Sequence, residues 1–147
     1  MRLSTKSRYG TRALLEIALH KGNSPIQLKD IAENQQLSLP YLEQLIRPLI
    51  VGGYVRSTTG PKGGVSLAKD PTDIKMIDII QLYEGSIALV SCIDNPDVCD
   101  RSPSCVTRDL WTELKDAMSD VLGSKTLQDL INQKKEKDES KEGMYYI

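Results

Sequence analysis

The chain has 147 residues, of which 39% are hydrophobic and 27% charged, and its formal net charge is −1. This balance excludes a disordered polyampholyte and a membrane protein, and the length suits one domain or two small units that share a core. Because no window is apolar enough to span a membrane and the opening residues lack the apolar stretch of a secretion signal, we expect a cytoplasmic protein.

The charge is unevenly distributed along the chain. Residues 1–69 contain ten Lys or Arg against four Asp or Glu, whereas residues 70–147 contain nine against sixteen. A basic half is expected on the side of a protein that meets a polyanion such as DNA. Charged residues on solvated helix faces would produce the same asymmetry, so a DNA-binding motif is needed to distinguish the two interpretations.

Three helices are predicted in the first 51 residues. Apolar residues recur at helical spacing over residues 13–18 and stop before Gly22, which predicts an amphipathic first helix. A short helix follows around Leu28–Gln35, and after a tight turn a third helix begins at Ser38, whose hydroxyl caps it ahead of Pro40. Two helices joined in this way form a helix-turn-helix, and the second suits the major groove of DNA. Its core-facing residues are Leu42, Leu45, Ile46 and Leu49.

A β-hairpin is predicted next. Two short runs favour strands, Tyr54–Thr58 and Val65–Ala68, and the stretch GPKGG between them favours a tight turn. The Lys-Ser/Thr ending of a nucleotide-binding P-loop is absent, which disfavours a nucleotide site. The hairpin is expected to be the wing of a winged helix, with Arg56 and Lys62 placed to reach phosphate or the minor groove; a plain turn is the alternative.

The second half predicts two further helices with a cysteine-bearing loop between them. The stretch DIKMIDIIQLYEG has helical apolar spacing, and a longer helix begins near Val106. Its apolar stripe is too broad for a solvent face, so we expect it to pair with its counterpart in a second subunit, although packing within the chain would cover part of it. The dimer contacts we predict are Leu110, Trp111, Leu114, Met118 and Val121.

Together these elements predict a mainly α-helical protein with a small β-hairpin. We expect a winged helix-turn-helix domain over residues 1–70 and a cysteine loop with dimerisation helices over residues 71–131. The charge-dense residues 132–147 are expected to form a flexible tail.

The three cysteines, Cys92, Cys99 and Cys105, all lie in one short polar stretch. An odd number of thiols in a reducing compartment argues against structural disulfides. Pro96 and Pro103 interrupt any helix between them, so the three sulfurs can converge on one point. Thiolates suit an iron–sulfur cluster or zinc, and spacing alone does not choose between them. Buried free thiols are disfavoured because the stretch is too polar for a core.

In their order and spacing, four segments resemble the iron–sulfur-dependent winged-helix regulators of the IscR type. They are MRLSTKSRYGTRALLEIALH, IAENQQLSLPYLEQLIRPLIVGGYVRS, GPKGGVSLAKDP and CVTRDLW. The resemblance implies a homodimeric transcriptional regulator, expected to be a repressor, that binds promoter DNA and senses an iron–sulfur cluster held by the three cysteines. It implies target genes of cluster biogenesis or of redox and nitric-oxide responses, and no enzymatic activity.

The resemblance also carries over positions that contact DNA. DNA contacts are implied at the start of the recognition helix, in Ser38, Pro40, Tyr41, Glu43 and Gln44. Gln44 suits an adenine edge and Glu43 a cytosine amino group, so Glu43 is the expected specificity residue, with a solvated helix residue as the alternative. Phosphate contacts, which set register without reading sequence, are expected at Thr5, Lys6 and Arg47.

The chain departs from the family pattern at the fourth cluster ligand. Relatives have histidine at the position of Arg108 or, in another branch, an acidic residue at that of Arg8, and arginine cannot bind a metal because it stays protonated. An external thiol, water and nearby carboxylates are the open candidates, the carboxylates being Asp94, Asp97, Asp100 and Asp109. We expect a 2Fe–2S cluster in preference to a 4Fe–4S cluster. Thr59 stands where relatives often have arginine in the wing, so we expect minor-groove contact either to be weaker or to shift to Lys62 or Arg56.

Two other function classes stay open. A thiol oxidoreductase is disfavoured because the chain has no CxxC motif and its only histidine, His20, is far from the cysteines in sequence. A winged-helix regulator with zinc or bare thiols at the loop, acting through a protein partner, fits the same motifs. Visible absorbance would distinguish a cluster from zinc.

Overall fold

The computed structural model describes residues 2–145 as a mainly helical protein with one two-stranded antiparallel sheet. In chain order the elements are α1 Thr5–Leu19, α2 Leu28–Gln35, α3 Leu39–Val51, β1 Val55–Thr58, β2 Gly64–Leu67, α4 Met76–Glu84, α5 Ser91–Asp94, α6 Val106–Ser124 and α7 Leu127–Tyr145. The predicted fold, a winged helix-turn-helix with a small hairpin and a long later helix, is confirmed.

Local sequence explains where α1 and α3 begin. Ser4 and Ser38 are the N-caps of α1 and α3, and their hydroxyls accept the backbone N–H of Ser7 and Tyr41 at 3.1 and 3.3 Å. Gln36 adopts the left-handed conformation, with φ 56°, and ends α2 so that α3 follows after a short turn.

One hydrophobic core joins the winged helix to the later helices. The predicted inner face of α3 is confirmed, since Leu42, Leu45, Ile46 and Leu49 are all buried. Residues that come after the hairpin pack into the same core, namely Ile74, Met76, Ile79, Leu127 and Ile131. The core therefore spans the domain boundary expected at residue 70.

The wing is attached to the helices through its second strand. β1 and β2 pair with Val55 opposite Leu67, and Ile26 forms a separate backbone bridge with Val65 through two N–H···O bonds of 2.9 Å. Gly64 has φ 148°, and a Cβ there would lie 2.3 Å from the carbonyl oxygen of Ile26. Only glycine permits so close an approach of the two backbones.

The last helix, α7, runs through the segment that was expected to be a flexible tail. Residues 132–144 are helical and all exposed, with an ion pair of 2.6 Å between Lys134 and Asp138 on the surface. Their flexibility stays a prediction, and residues 146–147 of the expected tail lie outside the described residues. Within residues 2–145, no helix is long and apolar enough to cross a membrane.

Candidate DNA interface and cysteine loop

The exposed side of α3 carries predicted DNA contacts. Four of these residues lie on one side of the helix because they are spaced three or four positions apart along it, and all four are exposed. They are Pro40, Glu43, Gln44 and Arg47. The opposite side of the helix is buried in the core. These predicted contacts therefore lie on the outward side of the helix-turn-helix. Ser38 is exposed at the start of α3, whereas Tyr41 is half-buried.

The N-terminal half of α1 lies beside the start of α3. The rings of Tyr9 and Tyr41 meet edge to face with centroids 6.4 Å apart, and the Arg12 guanidinium lies 5.4 Å from the Tyr9 ring centroid. Thr5 and Lys6 are exposed one turn earlier on α1. The ring contact thus places the predicted phosphate contacts of α1 next to the start of α3, where base contacts are predicted.

Tyr9 and Arg12 were not among the predicted site residues. The alternation of basic and aromatic residues in KSRYGTR is the sequence signal that would have pointed to them. Arg56 and Lys62 of the wing are exposed, one on β1 and one in the turn between the strands, where a bond of 2.9 Å from the N–H of Gly63 reaches the carbonyl of Gly60. Both basic side chains are free to reach phosphate.

The loop between α4 and α6 distributes the three cysteines over different elements. Cys92 lies in α5, Cys99 follows a 3₁₀ turn over Pro96–Val98, and Cys105 is the residue that precedes α6. All three are free thiols, with Cys99 exposed and the other two half-buried. Across residues 2–145, no three His, Cys, Asp or Glu side chains are grouped so that they could hold a metal ion. The expected convergence of the sulfurs is therefore not formed in this conformation.

The three cysteine sulfurs are nevertheless the type of ligand that binds an iron–sulfur cluster. Hydrogen bonds lower the pKa of Cys105 and favour its thiolate. The larger effect comes from the Thr107 hydroxyl, 3.2 Å from Sγ, and the next from the Arg108 backbone. A thiol at the N-terminus of a helix as long as α6 is also favoured as an anion.

Arg108 holds the start of the loop against α6. Its Nε donates to the carbonyl oxygen of Cys92 at 3.0 Å, and Lys115 on the same helix pairs with Asp94 at 3.8 Å. The ion pair is partly exposed and contributes little, so the hydrogen bond from Arg108 is the stronger contact. Arg108 thus fixes the backbone of the loop at Cys92, a role that sequence reasoning did not find. Asp97 and Asp100 line a shallow hollow with Cys99.

α6 has an apolar stripe that nothing covers within the described part of the chain. None of its 19 residues is buried. Leu110 and Val121 are 54% and 62% exposed, and they share one side of the helix with the exposed Val106 and Ala117. The other predicted dimer contacts, Trp111, Leu114 and Met118, are half-buried. Sequence periodicity had grouped both sets into one stripe.

Known proteins are similar to this chain in both sequence and fold. Residues 3–133 match the Rrf2 family, described as "Iron-dependent Transcriptional regulator". Protein rrf2 of Nitratidesulfovibrio vulgaris is 44% identical over 131 residues, which are 89% of this chain and 87% of that protein. The structure of T. potens IscR has a TM-score of 0.74 at 41% identity and covers 90% of this chain and 88% of its own. CymR of B. subtilis, called the global cysteine regulator, has a TM-score of 0.76 at 38% identity and covers 90% and 98%.

Proposed function

This chain belongs to the Rrf2 family of DNA-binding transcriptional regulators, and we propose that an iron–sulfur cluster held by Cys92, Cys99 and Cys105 controls its DNA binding. Membership confirms the predicted resemblance and identifies a regulator rather than an enzyme. Control by a cluster goes beyond family membership, because the similar structures include both an IscR and a protein called a cysteine regulator.

In the proposed mode of DNA binding, α3 enters the major groove and Glu43 and Gln44 read base edges. An acidic residue among phosphate-facing basic ones is unfavourable unless it accepts a hydrogen bond from a base, which supports a reading role for Glu43. The exposed positions of Thr5, Lys6 and Arg47 support phosphate contacts that set the register.

The proposed assembly is a homodimer formed through α6. Its uncovered apolar stripe is the observation that supports this, because a single soluble chain rarely leaves such a surface to water. A two-fold dimer of winged helices would match two half-sites of DNA about 34–36 Å apart or a multiple of that distance.

The position of the cysteines carries the proposal for control. All three thiols lie on the segment that directly connects α4, which packs in the DNA-binding core, with the proposed dimer helix α6. When bound, the cluster would supply an iron- and oxidant-sensitive link among the three thiolates. Closing the loop would alter how α6 sits against the core and hence the spacing of the two recognition helices. A coupling of ~1–3 kcal/mol between the sites is enough for control.

The proposed cluster type and target genes rest on similarity to IscR. We propose a 2Fe–2S cluster in preference to 4Fe–4S, with a fourth ligand that Arg108 cannot supply. We propose repression of genes for cluster biogenesis or for redox and nitric-oxide responses.

Anaerobic isolation and reconstitution with ferrous iron and sulfide test the cluster. We expect bound iron, acid-labile sulfide and visible absorbance, all lost when any one of the three cysteines is replaced by alanine. Ser104→Ala, an exposed change beside Cys105, is the matched control and should retain the absorbance. A wild-type protein that binds zinc alone, or no metal, would contradict the proposal and favour the zinc or bare-thiol alternative.

A further inference from the structure

The carboxylate of Glu84, the last residue of α4, completes the cap of α1. Its Oε1 accepts the backbone N–H of Ser4 at 2.8 Å and also accepts the hydroxyl of Ser7. In a capping box the third residue of the helix is Glu or Gln and reaches back to the N-cap N–H itself. Here the third residue is Ser7, and a carboxylate 80 positions away along the chain takes that role.

The electrostatics of the two helix ends show that the Glu84 carboxylate stabilises α1 and not α4. A carboxylate at the C-terminus of α4 meets the negative end of that helix, whereas the N-terminus of α1 carries the opposite partial charge. Hydrogen bonds from Ser7 and then Ser4 hold the pKa of Glu84 below its usual range, so the carboxylate stays ionised at neutral pH. Its favourable interactions are therefore with α1.

The neighbouring residue, Tyr83, reaches the recognition helix. Its hydroxyl donates to the carbonyl oxygen of Leu45, in the middle of α3, at 2.7 Å. Its ring lies against Gly10 of α1 so closely that a Cβ at Gly10 would be 2.3 Å from the ring. The absence of a side chain at Gly10 is what admits the ring between α1 and α3.

Both residues stand directly before the cysteine loop. Gly85, with φ 76°, ends α4, and residues 86–90 lead from it to α5 and Cys92. One cleft is lined by Leu3 ahead of α1, by Glu84, by residues 86–89 and by Met118 of α6. The start of the loop, the start of α1 and the α6 helix thus meet around Glu84.

We propose that Tyr83 and Glu84 are positioning residues for DNA binding, which hold the DNA-contacting end of α1 and the recognition helix α3 in one arrangement relative to the start of the cysteine loop. Thr5 and Lys6 lie in the first turn of α1, so opening the cap displaces two predicted phosphate contacts. Through the same two residues a change in the loop reaches both DNA-binding helices; this second step rests on the proposed control of DNA binding by the loop.

Three variants of the full chain test the positioning role. Glu84→Ala removes both acceptor bonds, and Glu84→Gln retains an acceptor oxygen in the same place. Glu16→Ala is the matched control, because the Glu16 carboxylate also joins α1 to another helix, accepting from Asn34 at 2.5 Å and Gln35 at 2.6 Å. DNA affinity is measured by fluorescence anisotropy, at one salt concentration, on a duplex that the wild-type protein selects from a random library.

The expected results separate positioning from general stability. Glu84→Ala loses two hydrogen bonds to a charged group and should weaken DNA binding by about tenfold or more, and Glu84→Gln should recover most of that loss. Glu16→Ala should stay within about twofold of the wild type, since its bonds lie away from the DNA-contacting end of α1. Hydrogen exchange should rise in the first turn of α1 for Glu84→Ala and leave α2 unchanged. Equal losses of affinity for Glu84→Ala and Glu16→Ala would overturn the positioning role.

A second measurement tests transmission from the loop. The three cysteines are alkylated with iodoacetamide, and the ratio of DNA affinities before and after is compared between the wild type and the Tyr83→Phe, Glu84→Ala double variant. We expect a clear change for the wild type and a ratio near one for the double variant. If the double variant gives the same ratio as the wild type, transmission through α4 is refuted. If alkylation leaves the wild-type affinity unaltered, control by the loop fails as well, and the comparison of Glu84 with Glu16 still decides the positioning role.

Discussion

Replacing Gly10 with alanine should destabilise the protein, although alanine is the better helix former. In an exposed helix interior this change stabilises by about 0.5–1 kcal/mol. At Gly10 the new Cβ would lie 2.3 Å from Cζ and 2.5 Å from Oη of Tyr83. Carbon atoms in contact normally lie about 3.5–4.0 Å apart, so the ring has to move by about 1 Å.

That displacement breaks the contact between Tyr83 and α3. The hydroxyl of Tyr83 lies 2.7 Å from the carbonyl oxygen of Leu45, and a shift of about 1 Å takes it beyond hydrogen-bonding distance. The lost bond costs about 0.5–1.5 kcal/mol and overpacking costs about 1–3 kcal/mol. After subtracting the gain in helix propensity, we expect the free energy of unfolding to fall by about 0.5–4 kcal/mol.

Urea unfolding followed by far-ultraviolet circular dichroism measures this change. Protein concentration has to be held constant, because dimerisation would make apparent stability depend on it. Gly123→Ala in α6 is the matched control: the nearest atom to its new Cβ is Cγ2 of Ile77 at 4.0 Å, an ordinary contact. This control should gain about 0.5–1 kcal/mol.

Two results would refute the reasoning. One is a Gly10→Ala variant that gains stability as Gly123→Ala does, since the ring would then not occupy the space. The other is a Gly10→Ala change that destabilises as much in a Tyr83→Ala background as in the wild type, because removal of the ring should reverse the sign.

Three further predictions concern the dimer, the DNA and alkaline pH. Replacing Leu110 and Val121 together by glutamate should give monomers in light scattering with the fold retained, because both are exposed in the single chain; an unchanged dimer would contradict the α6 interface. Glu43→Ala should reduce discrimination between selected and altered sites by ~1–3 kcal/mol, whereas Lys6→Ala should weaken binding to all sites and lower the salt slope by about one; equal loss on all sites for Glu43→Ala would exclude base reading. Burial raises the pKa of Tyr83 above its ordinary value of 10.0, so the stability it contributes is complete below that pH and declines as pH rises toward the raised pKa. Tyr83→Phe should therefore show a flatter loss of stability in alkali, and identical pH profiles would contradict this.

Signals that act over a few residues determined most of the fold. The cap at Ser38, apolar spacing and the GPKGG stretch predicted the start of α3, the bounds of α2 and the wing to within about a residue. These features depend on hydrogen bonds and side-chain directions inside one or two turns of chain, which a sequence displays directly. The composition of the cysteine stretch likewise identified a metal-binding candidate, although not its geometry.

Tertiary structure alone decided which distant groups meet. The sequence shows Glu84 as an ordinary helix-terminal acid, and only the fold places its carboxylate on the N-cap of α1. The resemblance implied only that Arg108 cannot be a cluster ligand, whereas the fold shows its Nε donating to the carbonyl oxygen of Cys92. Periodicity likewise defines the apolar side of α6, but only packing leaves Leu110 uncovered while Met118 is half-buried. The physical reason is that periodicity and capping are set by neighbours along the chain, while a pairing across tens of residues depends on how whole helices pack against one core.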